Sequence, residues 1–169
     1  MKIDELEFKS EEEIKKSQET LFKETLSYIL KNSPFYKERL RGIDQRELNL
    51  DMLRFLPFTT KEDLQNRNWD ILSVSKDRVV EYVNTSGTTG APIYIALTAN
   101  DIRRLKENEM KSFTAVETTP QDTYQLAVAL DSMFIAGMAY YLGITGLGAK
   151  AIRIGTKNTK TVNRWKWNG

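Results

Sequence analysis

The chain has 169 residues, 40% hydrophobic and 28% charged, which suits one domain or a piece of a larger one. Its 25 Lys and Arg against 23 Asp and Glu leave a formal charge of +2, so the broad basic face expected of a nucleic-acid-binding protein is excluded. Since the chain has neither cysteine nor histidine, it excludes a disulfide framework, a cysteine–zinc site and a Ser-His-Asp triad of its own.

The same composition limits the remaining chemistry. Acid–base catalysis would have to use Asp, Glu, Lys or Tyr. A bound metal would have only oxygen ligands, which favours Mg²⁺. No set of metal-ligating residues is evident in the sequence. The first 30 residues are highly charged and lack the apolar core of a signal peptide. No stretch approaches the roughly 20 apolar residues of a membrane span. We therefore expect a cytoplasmic protein with neither a membrane nor a nucleic-acid partner.

Residues 1–76 are predicted to form a helical region. Ser10 followed by three glutamates is a capping-box pattern, which predicts the start of a first helix. Pro34 ends that helix, because proline disfavours the helical conformation of the residue before it. Further short helices are predicted at 34–41, followed by Gly42, at 48–56, and from Thr60 onward, where a threonine precedes acidic residues.

Residues 77–169 change to alternating strands and helices. The predicted strands are 79–83, 93–97, 124–130 and 151–154, and the predicted helices are 101–115 and 133–147. The sparse apolar positions of the first helix predict that it lies on the surface. This alternation predicts an α/β fold, with helices packed on a sheet of three or four strands. Such a sheet leaves an open edge, so we expect either an incomplete domain or an edge covered by a partner chain or a second copy.

The loop at 84–92 reads NTSGTTGAP and is longer than a tight hairpin needs. Its glycines free backbone N–H groups for a close approach, and its hydroxyl groups add hydrogen-bond donors, a chemistry that suits a polyphosphate. It lacks the lysine of the P-loop pattern GxxxxGK[ST], which excludes that class. A flexible polar connection between two strands is the structural alternative.

The full string TSGTTGAP at 85–92 resembles the phosphate-binding signature of the AMP-forming acid ligases, usually [ST]SGTTGxP. That superfamily includes acyl-CoA synthetases, luciferases and peptide-synthetase adenylation domains. The position x is often lysine and is Ala91 here, which keeps the backbone cradle without a side-chain charge on the phosphates. The resemblance implies that the ATP phosphates are bound by Thr85, Ser86, Gly87, Thr88, Thr89 and Gly90.

Two upstream segments, NSPFY at 32–36 and LPFTTKEDL at 56–64, resemble phenylacetate–CoA ligases and their relatives, the deazaflavin-coenzyme-adenylating synthetases and capsule-biosynthesis homologues. Their residues have a simple structural interpretation: a helix stop, an aromatic core pair and a capped helix. The segment ALDSMFIAGMAYYLG at 129–143 resembles the part of the family that lines the acid pocket, with Phe134, Gly137 and Tyr141 in comparable places. A core helix rich in small and aromatic residues is the alternative.

The resemblance implies a two-step reaction in which a carboxylic acid attacks the α-phosphorus of ATP and coenzyme A then displaces AMP. It implies ATP, Mg²⁺ and coenzyme A as cofactors and a small-molecule carboxylic acid as substrate. The family's adenine-binding segment and its C-terminal domain with the catalytic lysine have no counterpart here. We therefore expect an N-terminal fragment, incomplete as a catalyst alone, and assign no catalytic residue. A non-catalytic nucleotide- or anion-binding module, or an interaction piece that associates through its open sheet edge, are the alternatives.

Overall fold

The computed structural model describes residues 8–44, 47–85 and 91–156, and the chain divides into two compact units, Met1–Lys76 and Asp77–Gly169. The first unit is helical and the second combines helices with strands. Within the described ranges, no helix is both long and apolar enough to cross a membrane.

The first unit consists of one long helix and several short ones, and local sequence patterns mark where some of them start. Ser10 and Glu13 form the predicted capping box, and Thr60 and Asp63 form a second one. Residues 48–56 were expected to form an α-helix, but a 3₁₀ helix capped by Asn49 forms instead. The elements are α1 (Glu11–Asn32), α2 (Pro34–Arg39), a 3₁₀ helix (Leu50–Phe55), α3 (Lys61–Asn66) and α4 (Asn68–Ile71).

The junction between α1 and α2 is the most buried part of this unit. Ser33 is fully buried; its hydroxyl donates to the carbonyl of Asp70 (2.9 Å) and accepts from the backbone N–H of Tyr36 (3.3 Å). Phe35 is 1% exposed, with the guanidinium groups of Arg39 and Arg67 at 5.4 and 5.1 Å from its ring centre. The NSPFY residues are therefore structural, as their pattern indicated.

The second unit contains a hairpin and a βαβ unit. Strands β1 (Val79–Asn84) and β2 (Tyr94–Thr98) pair antiparallel, and β3 (Thr123–Leu126) and β4 (Lys150–Arg153) pair parallel. Helix α5 (Ala99–Thr114) follows β2, and α6 (Ile135–Gly146) connects β3 to β4. The α/β fold class is confirmed. The expectation of one sheet is wrong for the described strands, which form two sheets of two strands, because hydrophobic alternation specifies strands but not their partners.

Helices α5 and α6 pack closely because α6 contains glycines at the contact. A Cβ atom placed on Gly143 would lie 2.5 Å from the Cβ of Glu109 on α5. Beneath them, Leu126, Ile144 and Ala149 form a small buried core. No residue of α5 is itself buried, which confirms its prediction as a surface helix.

Candidate active site

Two hydrogen bonds between Thr85 and Ile93 join the two chain segments at the base of the glycine- and hydroxyl-rich loop, and we call this pair the loop neck. The N–H of Thr85 donates to the carbonyl of Ile93 (3.0 Å), and the N–H of Ile93 donates to the hydroxyl oxygen of Thr85 (3.1 Å). Since this hydroxyl acts as an acceptor here, its own hydrogen can still donate to a ligand. The other five predicted phosphate-binding residues, Ser86, Gly87, Thr88, Thr89 and Gly90, lie outside the described residues.

A cavity of about 320 Å³ opens in the second unit. Three of its lining residues, Phe134, Met138 and Tyr141, recur at the i, i+4 and i+7 spacing that places side chains on one face of a helix. Aromatic, methionine and aliphatic side chains dominate the lining, as is typical of a small-molecule site. The complete lining is Glu81, Val83, Leu130, Met133, Phe134, Met138, Tyr141 and Arg153.

An unusual backbone turn connects this cavity to the hairpin. Ser132 and Met133 have φ angles of 58° and 61°, and the N–H of Phe134 donates to the carbonyl of Asp131 (3.2 Å). Left-handed backbone at consecutive non-glycine residues is disfavoured and concentrates at functional sites. The carbonyl of Met133 accepts a hydrogen bond from the N–H of Asn84 (3.1 Å), the last residue of β1. The turn thus holds the start of α6 against the strand that leads into the loop.

Two charged side chains lie among the apolar ones. Glu81 projects from β1 and Arg153 from β4, and both are exposed. The guanidinium of Arg153 lies 4.9 Å from the ring centre of Tyr141, which is a cation–π contact. Within the ranges that the structure describes, no group of three acidic residues could hold a metal ion.

Two of the three residues predicted to line an acid pocket, Phe134 and Tyr141, do line the cavity. Gly137 is not among the lining residues; it is buried, and a Cβ atom there would lie 2.1 Å from the carbonyl oxygen of Ala129. Sequence reasoning missed Met138, which the helical spacing could have indicated. It also missed Glu81 and Arg153, for which no local signal exists, because strand pairing and helix packing bring them to the cavity.

Comparison with known proteins identifies relatives of this chain. No family model matches the chain. Over 157 residues the chain is 33% identical to the phenylacetate–coenzyme A ligase of Escherichia coli K12, and the match covers 89% of the chain and 35% of the relative. The enzyme of the same name from Thermus thermophilus is 28% identical over 154 residues, covering 89% and 34%. The chain belongs to the AMP-forming acid–CoA ligase superfamily.

The chain spans about a third of the length of the curated relatives it matches, and it corresponds to their N-terminal portion. Solved structures show the same fold. An open conformation of 2-hydroxyisobutyryl-CoA ligase, in complex with 2-HIB-AMP and CoA, matches with a TM-score of 0.76 at 20% identity, over 86% of this chain and 35% of that one. The thioesterification state of that enzyme matches with a TM-score of 0.78 at 22% identity, over 86% and 32%.

Proposed function

We propose that the chain supplies the phosphate-binding loop and the acid pocket of an ATP-dependent, AMP-forming carboxylic acid–CoA ligase. The observation that carries the proposal is the hydrogen bond between Asn84 and Met133, which joins the entry of the loop to the wall of the cavity. A carboxylic acid held in that cavity would lie beside a polyphosphate held by the loop. The relatives named phenylacetate–coenzyme A ligase support the same chemistry.

In this proposal the chain acts by binding and orientation. Phe134, Met138 and Tyr141 contact the apolar body of the acid and exclude water from it. The loop from Thr85 to Gly90 holds the phosphates of ATP through N–H and hydroxyl donors, so that the acid carboxylate meets the α-phosphorus. Placing the two reactants together and stabilising negative charge account for most of the rate enhancement in such transfers. Acyl-adenylate and pyrophosphate are the products of this step.

The cofactors divide between this chain and the rest of such an enzyme. The donors of the loop fit ATP, while the described residues offer no acidic cluster for Mg²⁺, so we assign the ion to the phosphates alone. No residue of this chain is assigned to coenzyme A. Since the matched relatives are about three times longer, we propose that unit 77–169 binds ATP and the acid, and that turnover needs the remaining portion, on the same chain or on a partner.

Isothermal titration of the 169-residue chain with ATP and Mg²⁺ tests the proposal. We expect saturable binding to the chain as it stands. The variant Thr88→Ala removes one predicted donor and should weaken binding about tenfold, the effect of one hydrogen bond to a charged group. The variant Thr20→Ala serves as the control and should bind ATP normally, because it removes an exposed helical hydroxyl that is distant in sequence from the loop.

Equal ATP affinity for Thr88→Ala and Thr20→Ala would show that the loop does not bind ATP. No ATP binding by the unaltered chain would refute the proposed function. ATP–pyrophosphate exchange adds a second test. The chain alone should show no acid-dependent exchange, whereas a polypeptide that also carries the remaining portion of the relatives should show it.

A further inference from the structure

Arg153 has a defined place at the end of the parallel strand pair. It is the last residue of β4 and pairs in register with Leu126, the last residue of β3. The N–H groups of Ile154 and Gly155 both donate to the carbonyl of Leu126 (3.2 and 3.3 Å), so the chain beyond Arg153 stays attached to the same strand end. In open α/β sheets, ligands bind beyond the carboxyl ends of the parallel strands. Arg153 therefore lies at the end of the strands where this fold class binds ligands.

The same strand end leads into the part of the cavity lining that contacts the hairpin. The chain leaves β3 there and reaches the start of α6 through a segment that contributes Leu130, Met133 and Phe134 to the lining. The carbonyl of Met133 accepts the hydrogen bond of Asn84, the residue directly before the loop neck. Arg153 and Met133 thus line one cavity, and Met133 connects that cavity to the entry of the loop.

Among the described residues that line the cavity, Arg153 supplies the only positive charge. Within residues 8–44, 47–85 and 91–156, no ion pair joins it to Glu81, the other charged lining residue, or to any other acid. Its guanidinium lies 4.9 Å from the ring centre of Tyr141. A guanidinium that stacks on an aromatic ring keeps the N–H groups of its edge for an acceptor, so Arg153 can bind an oxyanion in the cavity.

We infer that Arg153 binds the carboxylate of the acid and orients it for the reaction with ATP. Two parallel N–H···O bonds between a guanidinium and a carboxylate give both affinity and a fixed orientation. The proposed reaction also brings two anions together, the carboxylate and the triphosphate, and a fixed cation beside them offsets their repulsion. Residue 91, where the loop signature often has a lysine, is alanine, so it supplies no such cation. Arg153 makes and breaks no bond in this inference.

This inference rests on the proposed function, which supplies the acid, and it adds the residue that binds the carboxylate. The test compares phenylacetate, the acid for which the matched relatives are named, with phenylacetamide, which has nearly the same shape and no charge. Chemical-shift titration of the 169-residue chain measures both dissociation constants. We expect phenylacetate to bind about tenfold more tightly, as charge-assisted hydrogen bonds to a guanidinium allow.

Variants of Arg153 separate carboxylate binding from a merely structural role. Arg153→Met should reduce the preference for phenylacetate to about twofold or less while the affinity for phenylacetamide stays nearly unchanged. A loss of packing would instead weaken the binding of both ligands. Arg153→Lys should keep part of the preference, because it keeps the charge but not the two parallel donors. The matched control Arg104→Met, at an exposed arginine of α5, should keep the full preference.

The outcomes separate this inference from the proposed function. Equal binding of the two ligands by the unaltered chain, or a preference that survives Arg153→Met, overturns the inference. If Arg153→Met keeps the preference and binds ATP about tenfold more weakly, the residue binds phosphate and not the carboxylate. Loop-dependent ATP binding without binding of either small ligand overturns the inference and leaves the nucleotide part of the proposed function standing. Absence of ATP binding refutes the proposed function itself.

Discussion

The two units of the chain differ in where some of their charged side chains lie. In the helical unit, Arg67 contacts Glu38 (2.8 Å) and Asp70 (3.0 Å), and Arg39 contacts Asp63 (3.2 Å), so charged groups bind other groups of the same unit. The second unit also contains an ion pair, between Arg103 and Glu107 (2.7 Å), but its Glu81 and Arg153 line a cavity. The helical unit is arranged for stability, and the second unit has the features of a binding site.

The comparison shows that residues which carry a family resemblance can have structural roles. The segments around Phe35 and Thr60 carry much of the resemblance, yet their side chains are engaged in core packing and helix capping. The residues that line the cavity resemble the family only loosely. Variants in the two units therefore test the packing described for each of them.

The largest expected effect is a loss of stability on removing the most buried ring. Phe35→Ala leaves a cavity beside Tyr36, Arg39 and Arg67 and should lower the free energy of unfolding by about 3–5 kcal/mol. Phe58, which is 83% exposed, provides the control: Phe58→Ala should change stability by less than about 0.5 kcal/mol. Urea denaturation measures both. Equal effects of the two variants would show that Phe35 does not anchor the helical unit.

The second effect concerns helix packing in the other unit. Gly137→Ala places a Cβ atom 2.1 Å from the backbone oxygen of Ala129, so backbone must move, and we expect a loss of about 1–3 kcal/mol. Gly146→Ala on the same helix meets flexible side-chain ends, those of Lys106 and Met110 at 2.7 Å, and should be nearly neutral. If thermal unfolding ranks these two variants in the reverse order, the packing described for α6 is incorrect.

A smaller effect, of the opposite sign, is expected at the turn before α6. Ser132→Gly removes the penalty of a left-handed residue (φ 58°) and should stabilise the protein by about 1 kcal/mol. Ser132→Ala keeps that penalty and should give no gain, which makes it the matched control. A rise in melting temperature for the glycine variant alone supports the strained turn, and identical melting temperatures for both variants contradict it.

The smallest effect is a dependence of stability on pH that involves helix capping. The backbone N–H of Thr60 donates to the carboxylate of Asp63, which holds the pKa of Asp63 below its ordinary value. Its stabilisation is complete above the ordinary aspartate pKa of about 4 and is lost as pH falls through the lower pKa of the folded state. Asp63→Asn should flatten stability against pH below about 4. If the free energy of unfolding falls equally with pH in the variant and in the unaltered chain below about pH 4, this contribution of Asp63 is excluded.

Much of the local structure was predictable because its causes lie within a few residues. The boxes at Ser10 and Thr60 each join a hydroxyl to an acid three positions later, and a helix starts at both. The helix predicted to begin at residue 101 begins at Ala99 instead, because Thr98 and Asp101 form a third box of this kind. Sequence could not give the partner of each strand. It also could not give the left-handed turn at Ser132 and Met133, since neither residue is the glycine or asparagine that signals such a turn.

The candidate site was predictable only in part for the same reason. Phe134 and Tyr141 were found because a family resemblance covers their helix, and Met138 shares their helical face. Glu81 and Arg153 lie more than 70 positions apart in the sequence and share a cavity through tertiary packing. Long-range proximity of this kind leaves no local pattern, although it decides the polarity of the site.

The most direct test of the central claim is an amide chemical-shift map of the ¹⁵N-labelled chain titrated with ATP–Mg²⁺ and with phenylacetate, the acid for which the matched relatives are named. We predict that ATP shifts the amides of the loop neck at Thr85 and Ile93, that the acid shifts those of Val83, Met138 and Tyr141, and that the amides around Phe35 respond to neither ligand. Shifts that cluster in the helical unit, or an acid that leaves the amides of the cavity unchanged, would contradict the account.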